Sequence, residues 1–135
     1  LIILNAGFNL AFSVWLLSGF FASIPVEIEE AALIDGCTRL QALRKVTIPI
    51  ALPGLVTAVI FTFVAAWNEF TIALTIMSSV DKKPIPVGIT QFIGQYDIAW
   101  EYLFSATIIA IIPVVILFIS IEKYLVGGLT AGSVK

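Results

Sequence analysis

Two short polar stretches stand out in a chain of 135 residues that is 60% hydrophobic and only 12% charged. One is EEAALIDG, Glu29 to Gly36, with VTIP following at 46–49. The other is WNEF, 67–70, set inside an apolar run. Neither could assemble a catalytic centre. There is no histidine, and Cys37 is the single cysteine. That excludes an internal disulfide, a multi-cysteine metal site and any base of the usual kind for a nucleophile. No glycine-rich loop ends in Lys-Ser or Lys-Thr, so nothing here cradles a nucleotide phosphate. The expectation is a protein that is not an enzyme by itself, with no catalytic residues, no metal and no cofactor. A net charge of -2 gives no footprint for nucleic acid. The chemistry left to these residues is non-covalent: acids and small side chains offered to another surface, and hydrogen bonds inside lipid.

The elements that hold them follow from hydropathy. A mean of +1.09 over a chain this short exceeds what a soluble domain can bury, so lipid is the expected solvent. Since about 20 apolar residues cross a bilayer as a helix, spans are expected at about 1–23, 50–78 and 103–121. The fold class is therefore all-α, a polytopic membrane protein with three transmembrane helices. The chain opens at Leu1 inside an apolar run, with no basic leader or cleavage site, and reads as the C-terminal part of a longer membrane protein. In the first span Gly7 with Ala11, and Ser18 with Ala22, recur four apart. They mark either a face for close helix approach or small residues turned to lipid. Pro113 in the third span is expected to kink it, because it removes a backbone bond and crowds the preceding turn.

Residues 24–49 form the first polar connection. Pro25 suits the first turn of a short helix. Glu27, Glu29 and Glu30 lie where the helix dipole favours negative charge. Gly36 should end that helix in the left-handed conformation. Thr38 with Gln41 reads as a capping box that opens a second helix, with Arg44 and Lys45 near its C-terminal end. Pro49 and Pro53 mark the bend into the second span. Residues 79–102 form a second connection, expected to hold a turn and a short helix, with Tyr96, Trp100 and Tyr102 at headgroup level. Residues 122–135, with Gly127, Gly128, Gly132 and Ser133, are expected to be a mobile tail. The first connection and the tail carry five basic residues and the second connection two. The side with more is assigned to the cytoplasm, so 24–49 is a cytoplasmic helix–turn–helix and 79–102 an external segment.

Glu30, Ala31, Ala32, Gly36, Val46, Ile48 and Pro49 together resemble the signature loop of permease subunits in binding-protein-dependent ABC importers. FNLAFSVWLLSGFFASIPVEIEEAA, WNEF, PIPVGITQFIGQY and the terminal GLTAGSVK are similar to the carbohydrate branch, and to the smaller permease of maltose-type systems. The resemblance covers essentially the whole chain. Val46 and Ile48 stand where the family pattern usually has Ile and Leu. The resemblance implies a coupling helix at 26–36 that docks on a cytoplasmic ATP-binding subunit, with Glu30, Ala31, Ala32, Asp35, Gly36 and Pro49 as the coupling residues. It further implies a dimer of that ATPase, a second permease subunit, an extracytoplasmic solute-binding protein and a sugar substrate. The setting would be the cytoplasmic membrane of a prokaryote, with solute moved by alternating access. The rival readings are an importer for another solute class and a non-transporting membrane scaffold.

Trp67, Asn68 and Glu69 are the candidates for a substrate pathway. An acid at the middle of a span costs roughly 2.5–3.5 kcal/mol on insertion scales, so Glu69 should face protein or water. Asn68 and Trp67 supply hydrogen bonds and a ring face, both suited to a sugar. Consecutive positions of a helix lie about 100° apart, so the three cannot all line one wall. The alternatives for Glu69 are a buried structural hydrogen bond between spans or a place near the outer interface. The segment PIPVGITQFIGQY reads either as a lid or binding-protein face, or as a plain interfacial helix.

Overall fold

The computed structural model describes the backbone of residues 1–131 and the side chains through Glu122. Eight α-helices occur among the described residues: α1 (Ile2–Ala22), α2 (Val26–Ile34), α3 (Arg39–Ala42), α4 (Ile48–Ile50), α5 (Leu52–Trp67), α6 (Thr71–Ile76), α7 (Ile85–Ile89) and α8 (Trp100–Ala131). A π-helical turn, Leu43–Thr47, joins α3 to α4. The only strand-like pairing among these residues is an isolated antiparallel bridge between Ile93 and Ile98. The all-α expectation is met. Ile2–Ala22, Leu52–Ile76 and Trp100–Glu122 are each long and apolar enough to cross a membrane. At 1.5 Å per residue, the 21 residues of α1 reach roughly 31 Å, about the thickness of a hydrocarbon core.

Two boundaries differ from expectation. The second span is not one helix over 50–78: α5 stops at Trp67, and α6 begins at Thr71. The third helix starts at Trp100 and its backbone stays helical to Ala131, past the expected end at 121 and through Gly127 and Gly128. It also runs through Pro113 without interruption. Loss of one backbone bond does not end a helix of this length when the remaining groups are still paired. Gly132 and Ser133 of the expected tail lie outside the described residues.

The chain forms two compact units, residues 1–9 with 62–120, and residues 10–61 with 121–135. In the second, α1 and α5 run antiparallel. Phe12 meets Phe61 edge-on, with ring centroids 5.9 Å apart, and eight residues further along α1 the Phe20 ring lies directly over Gly54. The sequence left Gly7 either on a close-approach face or turned to lipid. A Cβ at Gly7 would meet nothing within 4 Å, and Gly54 fills that role instead. A Cβ there would stand only 2.7 Å from the Phe20 Cβ, so swinging the ring aside cannot relieve it. Gly54→Ala in the full-length subunit should therefore destabilise by about 1–3 kcal/mol, net of its gain in helix propensity. Thermal melts in detergent should register the loss, and adding Phe20→Ala should recover part of it.

In the first unit, α7 and the central part of α8 lie beside Trp67. Ala73 and Val87 are fully buried there. The connection between α6 and α8 contains short 3₁₀ turns at Val80–Lys82 and Thr90–Phe92 around α7. It then folds back at 93–98, where the Gly94 N–H donates to the Asp97 carbonyl at 2.9 Å. Tyr96 stands at the tip of that turn, 93% exposed.

Candidate functional site

The acid-and-alanine stretch forms a compact helix–turn–helix. α2 begins after Pro25, with Glu27 and Glu29 in its first turn, the favourable sign for the dipole. Its end is a Schellman motif. The Cys37 N–H reaches the Ala32 carbonyl at 3.0 Å and the Gly36 N–H reaches Leu33 at 3.1 Å. Gly36 has φ +87°, the one positive φ among the described residues, where a side chain would be strained. The chain restarts at once on a capping box: the Thr38 N–H donates to Gln41 Oε1 at 2.9 Å, and the Gln41 N–H donates to Thr38 Oγ1 at 3.4 Å. Both ends of the turn thus satisfy their own backbone groups, and three residues, 35–37, suffice to separate α2 from the cap of α3.

α2 packs on α3 and on the π turn. Ala32 and Ala42 are buried in this packing, so Ala32 is small because α3 must come close, and it is turned away from any outside partner. The sequence had placed Ala31 and Ala32 together on a docking face. Glu30, Ala31, Asp35, Gly36 and Pro49 are exposed and Ala32 is not. The π turn follows from the prolines. The Ile48 N–H bonds back to the Leu43 carbonyl, five residues away, and Pro49 next to it has no N–H to continue the ladder.

In the other unit, the WNEF stretch is where the helix breaks. Glu69 turns both carboxylate oxygens onto the start of α6: the Ile72 N–H donates to Oε1 at 2.6 Å and the Ala73 N–H to Oε2 at 2.8 Å. A charge inside a span is tolerated here because it satisfies two backbone donors at the positive end of a helix. The hydrogen bonds of Glu69 run to the start of α6, three and four residues on, and not to another span. Trp67, the last residue of α5, donates its indole N–H to the Ala110 carbonyl of α8 at 3.1 Å and stacks on Phe63 with centroids 5.5 Å apart. Trp67 and Asn68 line a cavity of about 350 Å³ with Pro86 and Ile89 of α7 and Thr107, Ala110, Ile111 and Val114 of α8. Glu69 is not in its wall. Trp67, Asn68 and Glu69 thus do not all line one wall, and the helix break at 68–70 lets two neighbouring residues share it. Thr107 and Ala110 had no distinguishing signal in the sequence, because they become part of a site only where α8 meets the end of α5. No group of acidic or cysteine side chains among the described residues could hold a metal.

The chain has recognisable relatives among known proteins. Residues 1–130 match the family model described as the binding-protein-dependent transport system inner membrane component. A sulfoquinovosyl glycerol transport system permease protein of Agrobacterium fabrum is 44% identical over 120 residues, 89% of this chain and 42% of the relative. A diacetylchitobiose uptake system permease protein of Streptomyces coelicolor is 39% identical over 126 residues, 93% of this chain and 46% of the relative. A trehalose/maltose transport system permease protein of Thermococcus litoralis is 38% identical over 128 residues, 94% of this chain and 46% of the relative. The chain thus spans less than half the length of these three relatives. With three membrane-length apolar helices and a match that runs over nearly all its residues, the chain belongs to the family of inner membrane components of binding-protein-dependent transport systems.

Proposed function

We propose that this chain is the C-terminal part of a permease subunit that imports a sugar or oligosaccharide across the cytoplasmic membrane of a prokaryote by alternating access. Energy comes from a pair of separate ATP-binding subunits, and a second permease and an extracytoplasmic binding protein complete the system. The observation that carries this reading is the family match over residues 1–130, joined to a rigid exposed knob at 26–36 that both caps support. The three relatives described above are named for glycosides or sugars, which favours the carbohydrate class.

In this reading the 24–49 loop is cytoplasmic. Glu30, Ala31, Asp35 and Gly36 meet the ATPase, with Pro49 at the joint, and Ala32 supports them from inside. Because α2 and α3 are tied to each other and continue through α4 into α5, a pull on the knob reaches the membrane helices without slack. The solute pathway is the cavity beside Trp67 and Asn68. Its size is at the lower end for small-molecule sites, and its mix of aliphatic wall, indole and carboxamide suits a polyhydroxylated ring. The external segment 79–102 offers Tyr96 to the binding protein.

The test is reconstitution of the full-length subunit with its ATPase and second permease in vesicles, with trehalose, maltose and diacetylchitobiose as labelled solutes. Binding protein loaded with one of these should stimulate ATP hydrolysis and solute uptake together. Hydrolysis indifferent to every loaded binding protein would leave a scaffold, and uptake of amino acids or phosphate alone would move the chain to another solute class.

A further inference from the structure

We propose that the Trp67 indole N–H and the Ala110 carbonyl form a latch that a hydroxyl-bearing solute opens from within the cavity. The proposal rests on the pathway reading given above and goes beyond it by assigning the sensing step to one hydrogen bond.

Three features of the first unit carry it. The bond joins residues 43 apart in sequence, the C-terminal end of α5 and the middle of α8, and both partners line the same cavity. Each partner also sits at a weak point of its own helix. Trp67 is the last residue before the break at Asn68–Phe70. Ala110 lies three residues before Pro113, whose missing N–H leaves the Ile109 carbonyl without its helical donor. The bond thus ties the end of α5 to α8 just before the turn where Pro113 removes a backbone bond.

The third feature is chemical. Opening the latch in an apolar setting would orphan the indole donor, which is costly, while the Ala110 carbonyl keeps its place in the backbone ladder of α8. A solute hydroxyl is a donor and an acceptor at once, so it can receive from the indole and donate to the carbonyl in a direct exchange. A hydrocarbon can do neither, and an ammonium ion can only donate. The selectivity for hydroxyls follows from the pair itself. Asn68 is exposed at the cavity, and its carboxamide has no partner among the described residues, so it can hold a second hydroxyl while the exchange occurs. Thr107 donates to the Leu103 carbonyl at 2.8 Å, which leaves its oxygen able to accept from a third. Glu69 contributes by fixing the start of α6, so that movement freed by the latch is concentrated at residues 68–70.

The experiment uses the full transporter in vesicles, with trehalose, maltose and diacetylchitobiose as probes. Two changes at position 67 remove the N–H and keep a ring: Trp67→Phe, and replacement of Trp67 by benzothienylalanine, which puts sulfur where the N–H stands. Both should raise the solute-free ATPase rate about five-fold, the weight of one net hydrogen bond, and reduce further stimulation by solute. If Trp67→Phe fails to fold, the benzothienylalanine protein carries the test alone. A solute-free rate equal to wild type in a folded variant overturns the latch. Asn68→Ala, measured in parallel, should raise the KM for solute. A raised KM beside an unchanged solute-free rate at position 67 keeps the pathway and discards the latch. An unchanged KM withdraws the pathway reading, and with it the solute-driven opening.

Discussion

Gly36→Val in the full-length subunit should cut solute uptake by roughly tenfold or more while ATP hydrolysis by the assembled complex continues. A Cβ at Gly36 would touch nothing within 4 Å, so crowding inside the chain plays no part. The cost is conformational. A φ of +87° is open to glycine, tolerated by asparagine and strained for a β-branched residue by about 1–3 kcal/mol. That strain is relieved if the turn between α2 and α3 changes shape. The Schellman bonds from Gly36 and Cys37 then lengthen, and α2 no longer stands at a fixed angle on α3. Under the proposed coupling role, the ATPase would go on pushing on a knob that yields. Gly36→Asn is the control and should keep most of the uptake. Uptake at the wild-type rate in Gly36→Val removes the turn from the coupling path. Loss in Gly36→Asn as well would move the requirement from φ to the bare surface that glycine presents to its partner.

The second large effect is expected at Glu69, and it concerns folding before transport. Glu69→Ala leaves the N–H groups of half-buried Ile72 and fully buried Ala73 without acceptors. At about 1–3 kcal/mol for each orphaned group, the loss is about 2–6 kcal/mol, a large part of the stability of any domain. Glu69→Gln keeps one acceptor oxygen but sets an amide NH₂ against the second N–H, so it should fall between wild type and alanine. The melting temperature of the full-length subunit in mild detergent should follow the order Glu, Gln, Ala. Equal melting of wild type and Glu69→Ala would show that the cap contributes nothing. The same residue resolves the apparent cost of an acid within a span. The carboxylate is matched to the backbone of the half-helix it starts, which no amount of counting charges along the chain would reveal.

The contrast between the two regions has a physical cause. The 24–49 loop is legible because its signals are local. A capping box needs a hydroxyl and an amide three residues apart, and a Schellman end needs glycine at one position. Thr38, Gln41 and Gly36 meet those requirements with backbone neighbours as their only partners. The break at 68–70 has no such announcement. No glycine or proline stands there, and the hydropathy of Leu52–Ile76 runs through it as through one span. What ends α5 is the competition of a side chain for backbone donors, together with an indole held by a carbonyl 43 residues away. Ala32 shows the same limit on a smaller scale. Its size could be read from the sequence, but whether that smallness serves an inner or an outer neighbour could not.

By itself, then, the order of residues determined the helical class, the three apolar spans and the caps of the helix–turn–helix, since each depends on composition or on partners within a few positions. Tertiary structure alone decided that Phe20 closes over Gly54, that Ala32 faces inward, that the second span is two helices, and that Trp67 and Asn68 share a cavity with Thr107 and Ala110. Those outcomes depend on which distant backbone atoms come within bonding distance, and that is fixed only when the helices pack.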